Sequence, residues 1–161
     1  MKDWLGLTFL ACLALSVAVP EGCTYHGRRL LRLGTKPSLT LLETEIERAA
    51  KANKLPKPLL TALVRVESGF NPLAVSKVGA RGIAQIMPFN AARCGLLKDH
   101  LWDATFNLRC GALILRQELD RLGNVEAALT VYNCGRVKCA EGKSYAKKVL
   151  ALSQLNPSLI K

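Results

Sequence analysis

A single glutamate, Glu67, lies at the end of an apolar stretch and is followed by two polar segments that could surround it. The first segment runs from Gly82 to Pro88, and the second is Tyr132-Asn133. No second carboxylate in the sequence has comparable neighbours. The pattern indicates chemistry on a glycosidic bond in which one carboxyl group transfers the proton and the substrate supplies its own nucleophile.

The position of Glu67 favours a carboxyl group that keeps its proton. The apolar residues 59–66 predict a helix with Glu67 in its last turn, where burial and the negative end of the helix dipole both favour the protonated form. An isolated glutamate at a helix end is more often a plain surface residue. The catalytic interpretation depends on the long loop that follows, residues 71–88, because an ordered loop carrying Gly82, Gln85 and Pro88 is usually functional.

The polar segments predict a groove that binds a saccharide. Gln85 and Asn133 carry amides suited to N-acetyl and hydroxyl groups, and Tyr132 could hydrogen-bond the carboxyl group or stack against a sugar ring. Met87 offers a polarisable apolar surface, although most methionines fill cores.

Helical periodicity dominates the part of the chain that must position these groups. A helix is predicted from Ser38, and Pro56 and Pro58 mark a break and a new start. Further helices are predicted at 90–94, 103–122, 125–132 and 144–155, with Leu108, Ala112, Leu115 and Leu119 on one stripe of the longest. No strand-like alternation is convincing. The predicted fold class is therefore all-α, with an ordered loop lining the groove.

The composition limits the number of domains and the kinds of partner that the chain can have. The chain has 161 residues, half of them hydrophobic, which suits one domain. Its 23 Lys and Arg against 12 Asp and Glu give a formal charge of +11, which suggests an anionic partner or simply a solvated basic surface. Nucleic acid ranks last among the partners, because the few aromatic residues are not interleaved with the basic ones.

The N-terminus predicts export. Residues 4–19 carry no charge, and Ser16-Val17-Ala18 places small residues before a cleavage site after Ala18. The run is shorter than the ~20 residues that span a bilayer comfortably, so a membrane anchor is disfavoured. We expect a signal peptide at 1–18, a flexible basic lead-in at 19–37, a catalytic domain at 38–161, and a location in the periplasm or cell envelope.

Export makes disulfides the expected state of the cysteines. Local pairing of Cys94 with Cys110 and of Cys134 with Cys139 is reasonable, but four cysteines allow three pairings. Cys12 lies in the signal, and Cys23 is left over, in a context that gives little support to lipidation. No metal site or cofactor is expected, since there is no paired Cys-x-x-Cys spacing and only His26 and His100 are present.

Four segments together resemble one known family. Residues 63–72 (LVRVESGFNP), 79–88 (GARGIAQIMP), 131–135 (VYNCG) and 144–150 (SYAKKVL) are similar, in order and spacing, to the catalytic domain of the soluble lytic transglycosylase (SLT) family, whose fold resembles goose-type lysozyme. The resemblance covers residues 50 to 150. The chain departs from the family after Tyr132-Asn133, where Cys134-Gly135-Arg136-Val137-Lys138-Cys139 replaces the usual Ala-Gly-Pro-Gly. A disulfide there would rigidify the loop.

The resemblance implies a specific mechanism. Glu67 would be the sole acid/base, protonating the MurNAc–GlcNAc β-1,4 oxygen of peptidoglycan and then accepting a proton from the muramyl C6 hydroxyl as a 1,6-anhydro sugar closes. Ser76 would hydrogen-bond Glu67, and Tyr145 would support it from the last helix. The residues implied to line the groove are Gln85, Met87, Tyr132 and Asn133.

The expected partners are peptidoglycan glycan strands. The small size suggests a specialised enzyme that opens the wall locally for a secretion, conjugation or pilus apparatus. Two alternatives remain open, a lysozyme-like peptidoglycan hydrolase and a non-catalytic wall-binding assembly factor.

Overall fold

The computed structural model describes residues 39–160, and these form a helical domain. The α-helices are α1 (Leu39–Ala52), α2 (Lys57–Ser68), α3 (Ala104–Leu122), α4 (Val125–Cys134) and α5 (Ala140–Ser153), and the shorter 3₁₀ helices are Pro88–Cys94, Lys98–Trp102 and Pro157–Leu159. Extended pairing in this part of the chain is confined to the isolated bridges Val75–Arg81 and Arg81–Ile86. The predicted all-α class is confirmed. Within residues 39–160, no helix has both the length and the apolar character needed to cross a membrane.

The predicted signal peptide (1–18) and basic lead-in (19–37), with Cys12, Cys23 and His26, lie outside the described residues.

The core forms where α1, α2 and α3 turn their apolar faces inward. The stripe predicted on α3 is buried in full, with Leu108, Ala112, Leu115 and Leu119 almost inaccessible to solvent. Leu59, Leu60, Leu63 and Val64 of α2 are equally buried. Because α2 is anchored by these four side chains, the position of its last turn is fixed relative to the rest of the domain.

Proline and glycine set the ends of α2. Pro56 precedes the helix and Pro58 occupies its first turn, where a missing N–H costs no hydrogen bond. Gly69 ends the helix in the left-handed region, with φ of 58°, and its N–H donates to the carbonyl of Arg65. Glu67 therefore lies in the last turn, as the sequence predicts.

The connection from α2 to α3 contains the ordered loop and two 3₁₀ helices. The short helix predicted at 90–94 begins at Pro88 and is 3₁₀ in form. The 3₁₀ helix Lys98–Trp102 was not predicted from the sequence. Asp103 then caps α3, its carboxylate accepting from the N–H groups of Thr105 (2.9 Å) and Phe106 (3.2 Å).

The predicted start of the last helix, at Ser144, is wrong by four residues. The helix α5 begins at Ala140, with Cys139 as its N-cap. Gly142 lies inside it because α4 passes too close for a side chain: a Cβ there would be 2.8 Å from both the Thr130 carbonyl oxygen and Cys134 Sγ. The other end differs by less, since α5 ends at Ser153 and not at Leu155.

Two disulfides are present within the described residues. Cys94–Cys110 ties the 3₁₀ helix Pro88–Cys94 to α3, and Cys134–Cys139 closes the connection between α4 and α5. These are the two local pairings that the sequence made reasonable.

Candidate active site

Glu67 is half-buried, between its own helix and α5. The Tyr145 hydroxyl donates a hydrogen bond of 2.6 Å to Glu67 Oε1. Burial raises the pKa of Glu67 from 4.5 to about 7, although the hydrogen bond from Tyr145 acts in the opposite direction. A carboxyl group with this pKa can be protonated in the resting state and can still give up its proton at neutral pH, as a general acid must.

The two tyrosines beside Glu67 stay neutral. Burial raises the pKa of both Tyr132 and Tyr145 well above 10, and the charge of Glu67 raises them further. The Tyr132 hydroxyl donates to the carbonyl oxygen of Ala84 at 2.8 Å and not to the carboxyl group. Tyr132 therefore joins α4 to the loop, whereas Tyr145 contacts the carboxyl group directly.

The loop after α2 is fastened next to Glu67 by side chains. The Ser68 hydroxyl donates to the carbonyl oxygen of Ile83 at 2.7 Å. Gln85 has a positive φ of 51°, and its side-chain NH₂ donates to the carbonyl oxygens of Ala74 (3.0 Å) and Gly82 (2.9 Å). The Gln85 amide nitrogen thus folds the loop, which leaves the Oε1 atom as the part of this side chain suited to a substrate donor.

The Ser76 hydroxyl makes a different contact from the one that the resemblance implies. Its hydroxyl accepts a hydrogen bond of 3.0 Å from the N–H of Ala80, within the turn of the loop. Among residues 39–160 the hydrogen bond to Glu67 comes from Tyr145 and none comes from Ser76. The expected Ser76–Glu67 bond is not among the hydrogen bonds of residues 39–160, where the Ser76 hydroxyl oxygen instead acts as an acceptor in the turn at 76–80.

Asn107 of α3 was not predicted from the sequence, although its side chain holds the loop in place through hydrogen bonds. This fully buried side chain accepts at Oδ1 from the N–H of Ala84 (2.7 Å) and donates at Nδ2 to the carbonyl oxygens of Arg81 (2.8 Å) and Leu101 (2.9 Å). The available signal was its place beside Leu108, since a polar residue adjoining the apolar stripe of α3 must satisfy its amide inside the protein.

Glycines allow the loop, α3 and α4 to meet. A Cβ on Gly111 of α3 would lie 2.7 Å from the Cβ of Ala84 and 2.9 Å from the Tyr132 hydroxyl. This close approach allows the Tyr132 hydroxyl to reach the carbonyl oxygen of Ala84, and so joins α4 to the loop.

A groove of about 510 Å³ opens beside these residues. Predicted binding residues Met87, Tyr132 and Asn133 line it, together with Phe89, whose side chain is 74% exposed. Glu67, Ser76, Gln85 and Tyr145 are not among its lining residues. Tyr132 lines the groove, and the charge of Glu67 helps to raise the pKa of its hydroxyl group, so this side chain links the groove to the carboxyl group.

One wall of the groove carries an ion-pair cluster. The Glu118 carboxylate lies 3.2 Å from an Arg93 nitrogen and 2.6 Å from an Arg121 nitrogen. Burial alone would raise the pKa of Glu118, but the hydrogen bonds from Arg121 and Arg93 lower it below its usual value. Glu118 is therefore a charged structural group, and the cluster has a net positive charge.

One group of potential metal ligands is excluded by its own chemistry. Atoms of Cys134, Cys139 and Glu141 lie within 4.8 Å of one another. The two sulfur atoms are bonded to each other, so neither is a thiolate that could bind a metal ion.

Comparison with known proteins shows which family this sequence is similar to. The sequence model for the family described as "Transglycosylase SLT domain" matches residues 44–153. The chain is 39% identical over 105 residues to a transglycosylase of Enterobacteria phage PRD1, a match that covers 63% of this chain and 38% of the phage protein. It is 35% identical over 129 residues to the membrane-bound lytic murein transglycosylase E of Buchnera aphidicola subsp. Baizongia pistaciae (strain Bp), covering 70% and 60% of the two chains.

Solved structures agree on the fold. An inactive mutant of lytic transglycosylase Slt from Pseudomonas aeruginosa superimposes with a TM-score of 0.61 at 27% identity, covering 68% of this chain and 23% of that one. The 70-kDa soluble lytic transglycosylase of Escherichia coli gives 0.63 at 24% identity, with the same coverage, and supports the lysozyme-like fold alone. This chain thus spans less than half the length of the phage relative and about a quarter of these structures.

Proposed function

The chain belongs to the transglycosylase SLT family, and from this membership we propose that it is a lytic transglycosylase that cleaves the MurNAc–GlcNAc β-1,4 bond of peptidoglycan. The observation that carries the proposal is the half-buried Glu67 carboxyl group, with a pKa raised to about 7 and a hydrogen bond from Tyr145. The relatives, a transglycosylase and a lytic murein transglycosylase, support the choice of substrate.

In the first proposed step Glu67 acts as the acid. Its proton passes to the glycosidic oxygen, the bond from that oxygen to the muramyl C1 breaks, and the GlcNAc unit leaves with a new hydroxyl group. The electron pair of the broken bond stays on the departing oxygen, and positive charge develops at C1 and the ring oxygen. Glu67 is now a carboxylate, which the Tyr145 hydroxyl can stabilise through the existing hydrogen bond.

In the second step the same carboxylate acts as the base. The muramyl C6 hydroxyl attacks C1, Glu67 accepts the hydroxyl proton, and a 1,6-anhydro sugar forms. The acid is regenerated and no water is consumed. Because the nucleophile belongs to the substrate, the step gains a high effective molarity and needs no second catalytic carboxylate. The Asp103 carboxylate is not needed as a second catalytic group in this scheme. It already accepts hydrogen bonds from the N–H groups of Thr105 and Phe106 at the N-terminus of α3.

Mass spectrometry of the muropeptides released from purified sacculi tests the proposal. We expect products that are lighter by one water molecule than those of a hydrolase. Glu67→Gln should abolish product formation, because the amide N–H groups are far too weakly acidic to protonate the glycosidic oxygen. Glu43→Gln, a change to an exposed carboxyl group on α1, should leave product formation intact.

Each other result selects a different function. Products that have gained water would show a lysozyme-like hydrolase. Binding to sacculi without any product from the wild-type protein would show a non-catalytic wall-binding factor. Full activity of the Glu67→Gln variant would overturn the assignment of the acid.

We also propose that the protein is exported to the cell envelope and opens the wall locally for a secretion, conjugation or pilus apparatus. The uncharged run at residues 4–19 supports export. The proposed role with a secretion, conjugation or pilus apparatus is based on the family resemblance alone. A fusion of residues 1–37 to a reporter that is active only outside the cytoplasm tests the export. An inactive reporter in a fusion that is made and stable would contradict it.

A further inference from the structure

The connection between α4 and α5 is a short basic loop next to the groove. Cys134 and Gly135 line the groove, and the disulfide Cys134–Cys139 closes the loop that continues from them. The loop carries Arg136 and Lys138, both exposed. Two exposed cations therefore follow, within three residues along the chain, the groove residues Cys134 and Gly135.

These cations have no carboxylate partner in the part of the chain that the structure describes. The salt bridges found there join other residues, and none includes Arg136 or Lys138. The nearest acidic residue in sequence is Glu141, whose Oε2 lies 3.2 Å from Cys139 Sγ at the base of the loop. The outer part of the loop thus remains available to an anionic ligand.

The loop is held in shape before any ligand binds. Gly135 ends α4 in the left-handed region and donates its N–H to the carbonyl oxygen of Val131 at 2.7 Å. On the other side, the N–H of Cys139 donates to the carbonyl oxygen of Val137 at 3.2 Å, and Cys139 caps α5. Because the disulfide joins these two ends, little conformational entropy is lost when the cations engage a ligand.

We propose that Arg136 and Lys138 bind carboxylates of the peptide attached to the muramyl residue, so that the loop selects peptide-bearing glycan strands. The inference rests on the proposed function. The saccharide backbone is neutral once its lactyl group is in amide linkage, so the negative charge of the substrate lies on the peptides. A peptide that leaves the sugar near Asn133 would meet the two cations at the rim, where charge-assisted hydrogen bonds with Arg136 and Lys138 are available.

The test compares two forms of one substrate, native strands and strands whose peptide carboxylates have been converted chemically to amides. For the wild-type protein, kcat/KM should be about tenfold lower on the amidated strands, as expected for losing two exposed charge contacts. The variant Arg136→Gln/Lys138→Gln should show this lower value on native strands and should not change further on amidated strands. A thermal melt that matches the wild type would show that the fold is intact.

The matched control is Lys147→Gln/Lys148→Gln, which removes the same charge from the exposed face of α5, outside the groove. It should keep the wild-type preference for native strands. The proposal is overturned if the wild-type protein cleaves both substrates equally well, if the loop variant keeps the wild-type preference, or if the control loses it as well. Failure of the proposed function gives a separate result, since the wild-type protein would then cleave neither substrate.

Discussion

At the scale of single residues, the proton affinity of Glu67 is the outcome of two opposing contacts. Burial disfavours the carboxylate and dominates, while the hydrogen bond from Tyr145 favours it. The resulting pKa of about 7 is far from the 4.5 of a free side chain. A group so displaced must affect both the rate of the reaction and the stability of the fold.

The rate should fall as pH rises through about 7, because only the protonated Glu67 can act as the acid. Above that value kcat/KM should decrease by about tenfold for each pH unit. A pH–rate profile on soluble glycan strands measures this descending limb. If kcat/KM instead began to fall near pH 4 or 5, the pKa of Glu67 would be close to that of a free glutamate side chain.

The same pKa predicts a cost in stability. The folded protein holds the Glu67 proton up to pH 7 whereas the unfolded chain releases it near 4.5, so the native state binds more protons and stability falls as pH rises between these values. The full difference amounts to about 3 kcal/mol. Urea unfolding should therefore show Glu67→Gln more stable than the wild type at pH 8 by up to that amount, and equally stable at pH 4. A Gln variant that is less stable at pH 8 would contradict the burial argument.

Removing the Tyr145 hydroxyl should move the pH–rate profile in a defined direction. In Tyr145→Phe the carboxylate loses the hydrogen bond that lowers its pKa, so the pKa of Glu67 rises further and the descending limb shifts to higher pH. A merely structural role of Tyr145 would lower the rate at all pH values without shifting the limb. Tyr132→Phe is the comparison, because its hydroxyl contacts Ala84 and not the carboxyl group.

At the scale of elements, the site depends on how the loop is clamped between α3 and α4. Asn107 binds the loop at Arg81 and at the N–H of Ala84, and Tyr132 binds the carbonyl oxygen of the same Ala84. The clamp leaves no space at Gly82, where a Cβ would be 2.2 Å from Asn107 Nδ2 and 2.4 Å from the Leu101 carbonyl oxygen. Gly82 also has a positive φ of 81°.

Gly82→Ala should therefore be severely destabilising. The Gly79→Ala variant is the matched control, since Gly79 has a similar φ of 88° but open space around it. We expect a loss of about 1 kcal/mol in the control from backbone strain alone, and more than about 3 kcal/mol for Gly82→Ala, where the Asn107 hydrogen bonds are also broken. Denaturant unfolding measures both. Equal losses would show that the clamp adds nothing to the stability of the loop.

Sequence patterns predicted the helices better than they predicted this clamp. Proline and glycine act locally, so Pro58 and Gly69 revealed both ends of α2. The contact of Asn107 with Ala84 joins residues 23 positions apart, and no local pattern encodes it. Gly142 explains why the start of α5 was predicted too late. Its place inside the helix is set by the close approach of α4 and not by helix propensity. The roles of the predicted site residues stay predictions, and the contact of the Ser76 hydroxyl with the N–H of Ala80 belongs to a turn that the sequence pattern did not reveal.

At the scale of the whole molecule, the two disulfides serve different parts of the domain. Cys94–Cys110 spans 16 residues and fastens the 3₁₀ helix Pro88–Cys94, which carries the groove residue Phe89, to the central helix α3. Cys134–Cys139 spans 5 residues and closes the basic loop that continues from the groove residues Cys134 and Gly135. Since the entropy removed from the unfolded chain grows with the length of the closed loop, the first disulfide should contribute more to stability.

Replacing each pair by alanine separates the two roles. Cys94→Ala/Cys110→Ala should lower the free energy of unfolding by about 3 kcal/mol, and Cys134→Ala/Cys139→Ala by about 2 kcal/mol, from the lengths of the closed loops. Below the melting temperature the first variant should keep the preference for strands with native peptide carboxylates, because Arg136 and Lys138 remain constrained. The second should lose much of that preference, because its freed loop must be ordered at the expense of binding energy. Denaturant unfolding and the ratio of kcat/KM on native and amidated strands measure these outcomes. If the second variant kept the ratio while the first lost it, the disulfide Cys134–Cys139 would have no part in holding the cations in place.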